Sequence, residues 1–405
     1  MIAHFLQMIS EYFAVTSSIG ILAVLAIVVA GFFFAQQWTR WKLFDYLPPL
    51  IFIYFVPVVL TNFGVLPSES VVYDTIGELF LPMLLVMLLL KVDVASAIRV
   101  MGSGILVMLV GTLGVVLGAP VAYFIVRGYL EPDAWKAFGI LAGSWIGGTG
   151  NMAAVTEMLE ESTKGTNFGL AVLGDTVIYI GWLPLLLVSR KFANQFSRFS
   201  KVDKNRLEQM EAAAAEATLA TPEPAPRFQD HLYVLATALI AAWFATVVSQ
   251  ALPSIGKVIT AGTWKVLIVT TLGISLSFTP LRRLAGSHQL AMALLYFFVA
   301  RMGASADLTG VASQATPFLI GCTIWIVIHG LFCLLGARLF RVDVHTAAIA
   351  SAANIGGAAS APIVAAHHRE SLVPVSILMA LVGYAVGNYA AFLAALLCQA
   401  LAPGG

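Results

Sequence analysis

The stretch GSWIGGTGNMAAV at residues 143–155 has a counterpart, NIGGAASAPIVAA, at residues 354–366. Gly147 and Gly148 align with Gly356 and Gly357 at an offset of 356 − 147 = 209. Without a gap, the same offset sets Asn151 on Ser360, Gly174 on Gly383, Asp175 on Tyr384 and Tyr179 on Asn388. Glycine costs about 1 kcal/mol relative to alanine inside a helix, so each glycine pair, with Gly150 added in the first copy, predicts a break. Asn151 and Ser360 are good N-cap types and would restart the helix, with Pro362 in the first turn of the second restart. Close packing of small residues is the plainer reading of one such pair. Two pairs in register point instead to the paired, interrupted helices of a secondary transporter.

The surrounding sequence places both breaks in a membrane. Hydrophobic residues make up 60% of the chain and charged residues 11%, against about 25% in soluble domains. Residues 13–35, 47–68, 100–126, 137–156, 232–256, 308–337 and 371–405 contain no Asp, Glu, Lys or Arg. About 20 apolar residues in a helix span a bilayer core. The first run is too long for the core of a signal peptide and lacks a basic flank, so it reads as a span. Twelve segments are expected, near 13–35, 47–66, 75–91, 104–127, 135–160 and 166–189, then 231–252, 263–280, 287–303, 314–338, 344–366 and 372–399. The fold class is therefore all-α and polytopic, with two repeats, each carrying a broken transmembrane helix that crosses its partner. The first repeat covers 1–189 and the second 231–405, with a polar linker at 190–230. The linker begins basic and becomes EAAAAEATLATPEPAPR, the composition of a solvated connector.

Basic residues assign Arg40/Lys42, Lys91/Arg99, the linker, Arg282/Arg283 and Arg338/Arg341 to the cytoplasmic side. That assignment makes the halves oppositely oriented. Six full crossings per half would make them parallel, so one segment must be mis-split, absent or not fully spanning; inversion is the expected arrangement.

Asp175 is the sole charge between Lys164 and Arg190, near the middle of its segment. An ionisable group there costs at least about 2.5–3.5 kcal/mol, so it is expected to face a polar interior. Tyr179 lies one turn on, and Tyr384 and Asn388 repeat the spacing. Ser144, Thr149 and Asn354 sit within the breaks. These residues, with Asn151 and Ser360, form the expected binding set, and Asp175, Asn151 and Thr149 are the expected ligands of a Na⁺ ion. No other cofactor is expected.

Net charge is +1, which argues against a nucleic-acid partner. Cys322, Cys333 and Cys398 match no metal or redox spacing. Tyr73-Asp74 and Gly174-Asp175 partly mimic an intramembrane aspartyl protease, but the first glycine of the second motif is missing, and no enzyme is expected.

GSWIGGTGNMAAV with LGDTVIYIGW, and NIGGAASAPIVAA with VGYAVGNYAAF, resemble the membrane proteins of domain-of-unknown-function family 819. The resemblance covers nearly the whole chain. It implies a place in the cation/proton antiporter and anion transporter superfamily, beside bile-acid:sodium and glutamate:sodium symporters. It further implies a core domain with two crossed broken helices, a separate scaffold, alternating access and a homodimer. The expected function is symport of a small anionic or zwitterionic organic solute with Na⁺ or H⁺, in the cytoplasmic (inner) membrane of a bacterium. A cation/proton exchanger using Asp175 is the alternative, and a channel ranks below both. The chain lacks the adjacent carboxylate pair of electrogenic proton antiporters, which counts against simple exchange.

Overall fold

Each apolar run folds as helix in the computed structural model, which describes residues 14–41, 44, 49–93, 100–159, 165–202, 225–255, 259–306 and 308–403. The central part of the linker lies outside the described residues, as do Lys42, Arg99 and Asp307. In chain order the helices are α1 (Ser18–Thr39), α2 (Pro49–Asn62), α3 (Val71–Leu89), α4 (Ser103–Val126), α5 (Trp135–Ser144), α6 (Thr149–Met158) and α7 (Thr166–Ser189). After these come α8 (Ala193–Ser200), α9 (Phe228–Ala251), α10 (Ala261–Ser277), α11 (Ser287–Ala304) and α12 (Leu308–Phe340). The last three are α13 (Val344–Asn354), α14 (Gly357–His368) and α15 (Val373–Gln399). Among the described residues there is no strand beyond one isolated bridge, Ile255 with Ile259. Seven helical stretches among the described residues are long and apolar enough to cross a membrane, and α2 and α10 are shorter apolar helices.

Two groups of helices pack together. One comprises α1, α2, α3, α9, α10 and α11; the other comprises α4 to α7 and α12 to α15. In the second group α4 and α12 run antiparallel along their length, as glycine contacts show. Gly336 faces Val107 and Val110, Gly111 faces His329 and Cys333, and Gly118 faces Trp325. Further along, Gly321 faces Val126. Small residues let the two backbones approach, and buried polar groups tie them. The Trp325 indole donates to the Val115 carbonyl at 2.8 Å, and His329 sits between the Gly111 carbonyl and Ser351 Oγ, at 3.0 Å from each. In the first group α3 and α11 are also antiparallel, with Gly77 on Arg301 and Phe80 on Phe297.

The breaks fall where the glycines predict, but the chain does not run on through them. Gly139 of α5 packs against Leu159, and Gly143 against Asn151 and Met152, so α6 folds back along α5. In the second copy His345 Nδ1 lies 3.0 Å from His368 Nδ1, so α14 folds back along α13. Each expected crossing helix is therefore a helical hairpin. The reason is backbone conformation. Gly147 and Gly148 have φ of 122° and 115°, and Gly356 and Gly357 have 123° and 57°, a succession of positive values that reverses the chain. The N-caps are Gly148 and Gly356, not Asn151 and Ser360, and Pro362 stands inside α14 rather than in its first turn.

The hairpins enter from opposite ends of their bundle. The base of the first lies beside the C-terminal end of α15, where Gly139 meets Ala395. The base of the second lies beside the C-terminal end of α7, where His368 Nε2 is 2.9 Å from the Leu186 carbonyl and Arg190 donates to the His367 carbonyl at 2.7 Å. We call the end carrying Lys91, Arg190 and Arg282 the basic face; there Arg282 pairs with Asp93 at 3.1 Å.

Candidate functional site

The two tips meet. The Gly147 amide approaches the Asn354 carbonyl at 3.4 Å, and a side chain at Gly357 would collide with the Gly147 carbonyl. Because each tip is followed by a helix start, the N-terminal ends of α6 and α14 converge there. First-turn N–H groups have no acceptor within their own helix and carry the positive end of the helix dipole. Such ends suit an anionic group.

A cavity of about 240 Å³ opens beside the tips. Ser144, Gly148, Thr149 and Gly150 of the first hairpin line it, as do Gly356, Ala358, Ala359 and Ser360 of the second. Asp175 and Tyr179 of α7 and Tyr384 of α15 complete that wall. The facing wall belongs to the other bundle: Leu50 of α2, and His288, Met292, Leu295 and Tyr296 of α11. The cavity thus lies between the two helix groups. It extends to the first turn of α11, just after Arg282 and Arg283, at the basic face.

Asp175 is held by the first hairpin. Its Oδ1 accepts from the Trp145 indole at 3.1 Å, and Ser144 also hydrogen-bonds to it. Trp145 is fully buried and packs on Trp325 with ring centroids 4.5 Å apart. Tyr179, one turn on, belongs to the second hairpin: it hydrogen-bonds with Ser360, and its ring touches Gly356. One helix therefore presents a carboxylate to one tip and a phenol to the other. Tyr384 stacks its ring edge near Gly148 and Gly150.

Three of the expected residues do not reach the cavity. Asn151 is buried behind it, its amide donating to the Ile146 carbonyl at 2.8 Å and the Gly383 carbonyl at 3.1 Å. Asn151 therefore closes the turn and fastens it to α15. Asn354 fastens the other turn, donating to the Met108 carbonyl at 2.9 Å and accepting from Thr112 at 3.1 Å. Asn388 donates to Thr270 of the other bundle at 2.8 Å. Asp175, Asn151 and Thr149 consequently do not form one ligand set. Asp175 and Thr149 share the cavity wall with Ser144, Ser360, Tyr179 and Tyr384, and Asp175 is the one carboxylate among its described lining residues. The α11 wall gave no signal in the sequence, because His288, Met292 and Tyr296 match neither motif.

A family model described as "Protein of unknown function (DUF819)" matches residues 21–401. The uncharacterized membrane protein YjcL of Bacillus subtilis (strain 168) is 28% identical over 348 residues, which cover 82% of this chain and 85% of the relative. The match runs through both hairpins and both bundles, and the chain belongs to the DUF819 family as an integral membrane protein.

Proposed function

We propose that the protein is a secondary active transporter that moves a small anionic or zwitterionic organic solute together with Na⁺ or H⁺. One observation carries this reading: two hairpin tips meet beside a cavity between the helix bundles, and Asp175 lines that cavity. A solute's anionic group would sit at the converging N-termini of α6 and α14. Asp175 would offset the charge of the coupling cation, or carry the proton itself.

The same geometry supports inverted repeats. A hairpin enters and leaves on one side, so each half makes five crossings, an odd number, and the second half begins on the opposite side. That removes the parity conflict raised by the basic loops. Antiparallel pairing of α4 with α12, and of α3 with α11, is what inverted repeats require of equivalent helices. The basic face is then cytoplasmic, and the cavity opens toward the cytoplasm. Access would alternate as the hairpin-bearing bundle shifts against the α11 wall. The family relative is itself named a membrane protein, and we place this chain in the cytoplasmic membrane of a bacterium.

The alternative is cation/proton exchange, favoured by Asp175 being the one carboxylate among the described residues that line the cavity. Purified protein screened by thermal shift against organic acids, amino acids and peptides, with and without Na⁺, supplies a ligand. Uptake of that ligand into proteoliposomes under imposed Na⁺ or H⁺ gradients then tests the reading. Gradient-driven accumulation supports symport. Cation/proton exchange with no movement of any organic solute contradicts it.

A further inference from the structure

The end of the first hairpin is fastened to the other bundle by charge. Glu157, in the last turn of α6, has Oε1 3.1 Å from Lys265 Nζ of α10 and Oε2 3.9 Å from an Arg301 nitrogen of α11. The contact is reinforced by neutral groups, since Thr263 Oγ donates to the Met158 carbonyl at 2.9 Å and Gly262 packs on the Glu157 carbonyl. All of these lie at the face opposite the basic one, on the far side of the tips from the cavity mouth.

Each cation also has a second carboxylate near it, and both belong to α3. Lys265 borders a polar pocket of about 370 Å³ that also contains Glu78, Thr75, Thr246, Ser249 and Gln250. Glu78 makes no ion pair among the described residues. Arg301 feels the charges of Glu157 and Asp74. Its Nε has no hydrogen-bond partner among the described residues, so the guanidinium is under-coordinated although buried. Asp74 and Glu78 are one turn apart: Asp74 stands just before a π-helical turn at Ile76–Phe80, and Glu78 lies within it. That turn holds Gly77, where any side chain would strike the Arg301 guanidinium at 2.7 Å. Turns of this kind are uncommon and cluster at functional places.

We propose that Glu157, Lys265 and Arg301 form a charge clamp that closes the path from the face opposite the basic one. When the hairpin moves away, Glu78 and Asp74 take over the two cations. The clamp rests on the alternating-access reading, because only relative motion of the bundles would separate Glu157 from Lys265. The handover answers a physical difficulty of any such latch. A partly buried cation stripped of its partner is strongly unfavourable, and a fixed carboxylate within reach keeps it paired in both states. Glu157 is thus a positioning residue for the closed state, and Glu78 a positioning residue for the open one.

Alkylation of a buried cysteine tests both halves. Met158 is 1% exposed beside Thr263, and Met158→Cys would be reached by a hydrophilic maleimide when the clamp opens. Cys322, Cys333 and Cys398 are buried and can be replaced by serine or alanine in the parent. In the full chain reconstituted in liposomes, Glu157→Gln should raise the alkylation rate several-fold, and Glu78→Gln should lower it. A fold defect would raise both rates, so the opposite signs separate switching from damage. An unchanged or lowered rate in Glu157→Gln overturns the clamp. A rate that fails to fall in Glu78→Gln overturns the handover. No solute is needed, so these results stand apart from any failure to find a transported substrate.

Discussion

The carboxylate of Asp175 accepts a hydrogen bond from the indole of Trp145 at 3.1 Å, linking the middle of α7 to the first hairpin tip. Trp145→Phe removes that donor while keeping an aromatic ring against Trp325. A hydrogen bond to a charged group is worth about 1.5–3 kcal/mol. If the bond positions Asp175, ion-coupled uptake should fall about tenfold or more, for about 1.4 kcal/mol per decade, with the thermal midpoint lowered by only a few degrees. Unchanged uptake in Trp145→Phe would show that Asp175 needs no indole to hold it.

The tips depend on glycine at positions where a β-carbon fits neither the backbone nor the space. Gly148 has φ 115° and ψ −170°, a region essentially confined to glycine, and Gly147 at φ 122° lies against the Gly383 backbone. Strain of this kind costs about 1–3 kcal/mol per residue before any collision. Gly147→Ala and Gly357→Ala should therefore lower the thermal midpoint and abolish uptake. Gly31→Ala in α1, where a β-carbon meets nothing within 4 Å, is the control and should leave both unchanged.

His345→Cys with His368→Cys tests the hairpin itself. The two rings have centroids 5.2 Å apart, so a short bifunctional thiol reagent should bridge the two cysteines. Helices that ran on through the break would separate these positions by about 35 Å, at about 1.5 Å per residue. Absence of the cross-link in folded protein would restore the straight, crossing arrangement.

The sequence made the helices and the places of the breaks legible, because apolar runs and paired glycines leave few alternatives. Twelve expected segments correspond to the observed helices, with segments five and eleven divided at Ser144/Thr149 and Asn354/Gly357. Whether a divided helix continues or reverses was not legible. That depends on the sign of φ at successive glycines, and glycine accepts either sign. The N-caps were not legible for a related reason: Asn151 and Ser360 are both capping types, but here the glycines occupy the caps and Asn151 binds two carbonyls instead. Asp175 stood out because a charge at that depth is costly. Its neighbours on α11 were silent, because His288, Met292 and Tyr296 look like ordinary residues of a membrane helix until the second bundle is placed beside them.

The proposed orientation in the membrane predicts which side reaches single cysteines. Cysteines at Arg190 and Arg282 should be labelled only from the cytoplasmic side of oriented vesicles, and a cysteine at Glu131 only from outside. Labelling of all three from one side would contradict five crossings per half.

The most direct measurement is ion-coupled uptake by Asp175→Asn in proteoliposomes, using a solute identified by thermal shift. The substitution is nearly isosteric and can still accept from the Trp145 indole, so the protein should remain folded. Uptake driven by a Na⁺ or H⁺ gradient should be lost. Loss of Na⁺-dependent binding at fixed pH would identify sodium as the coupled ion, and loss of a pH-dependent response without Na⁺ would identify the proton. Wild-type coupling and affinity in Asp175→Asn would contradict the account, reducing Asp175 to a structural hydrogen-bond acceptor.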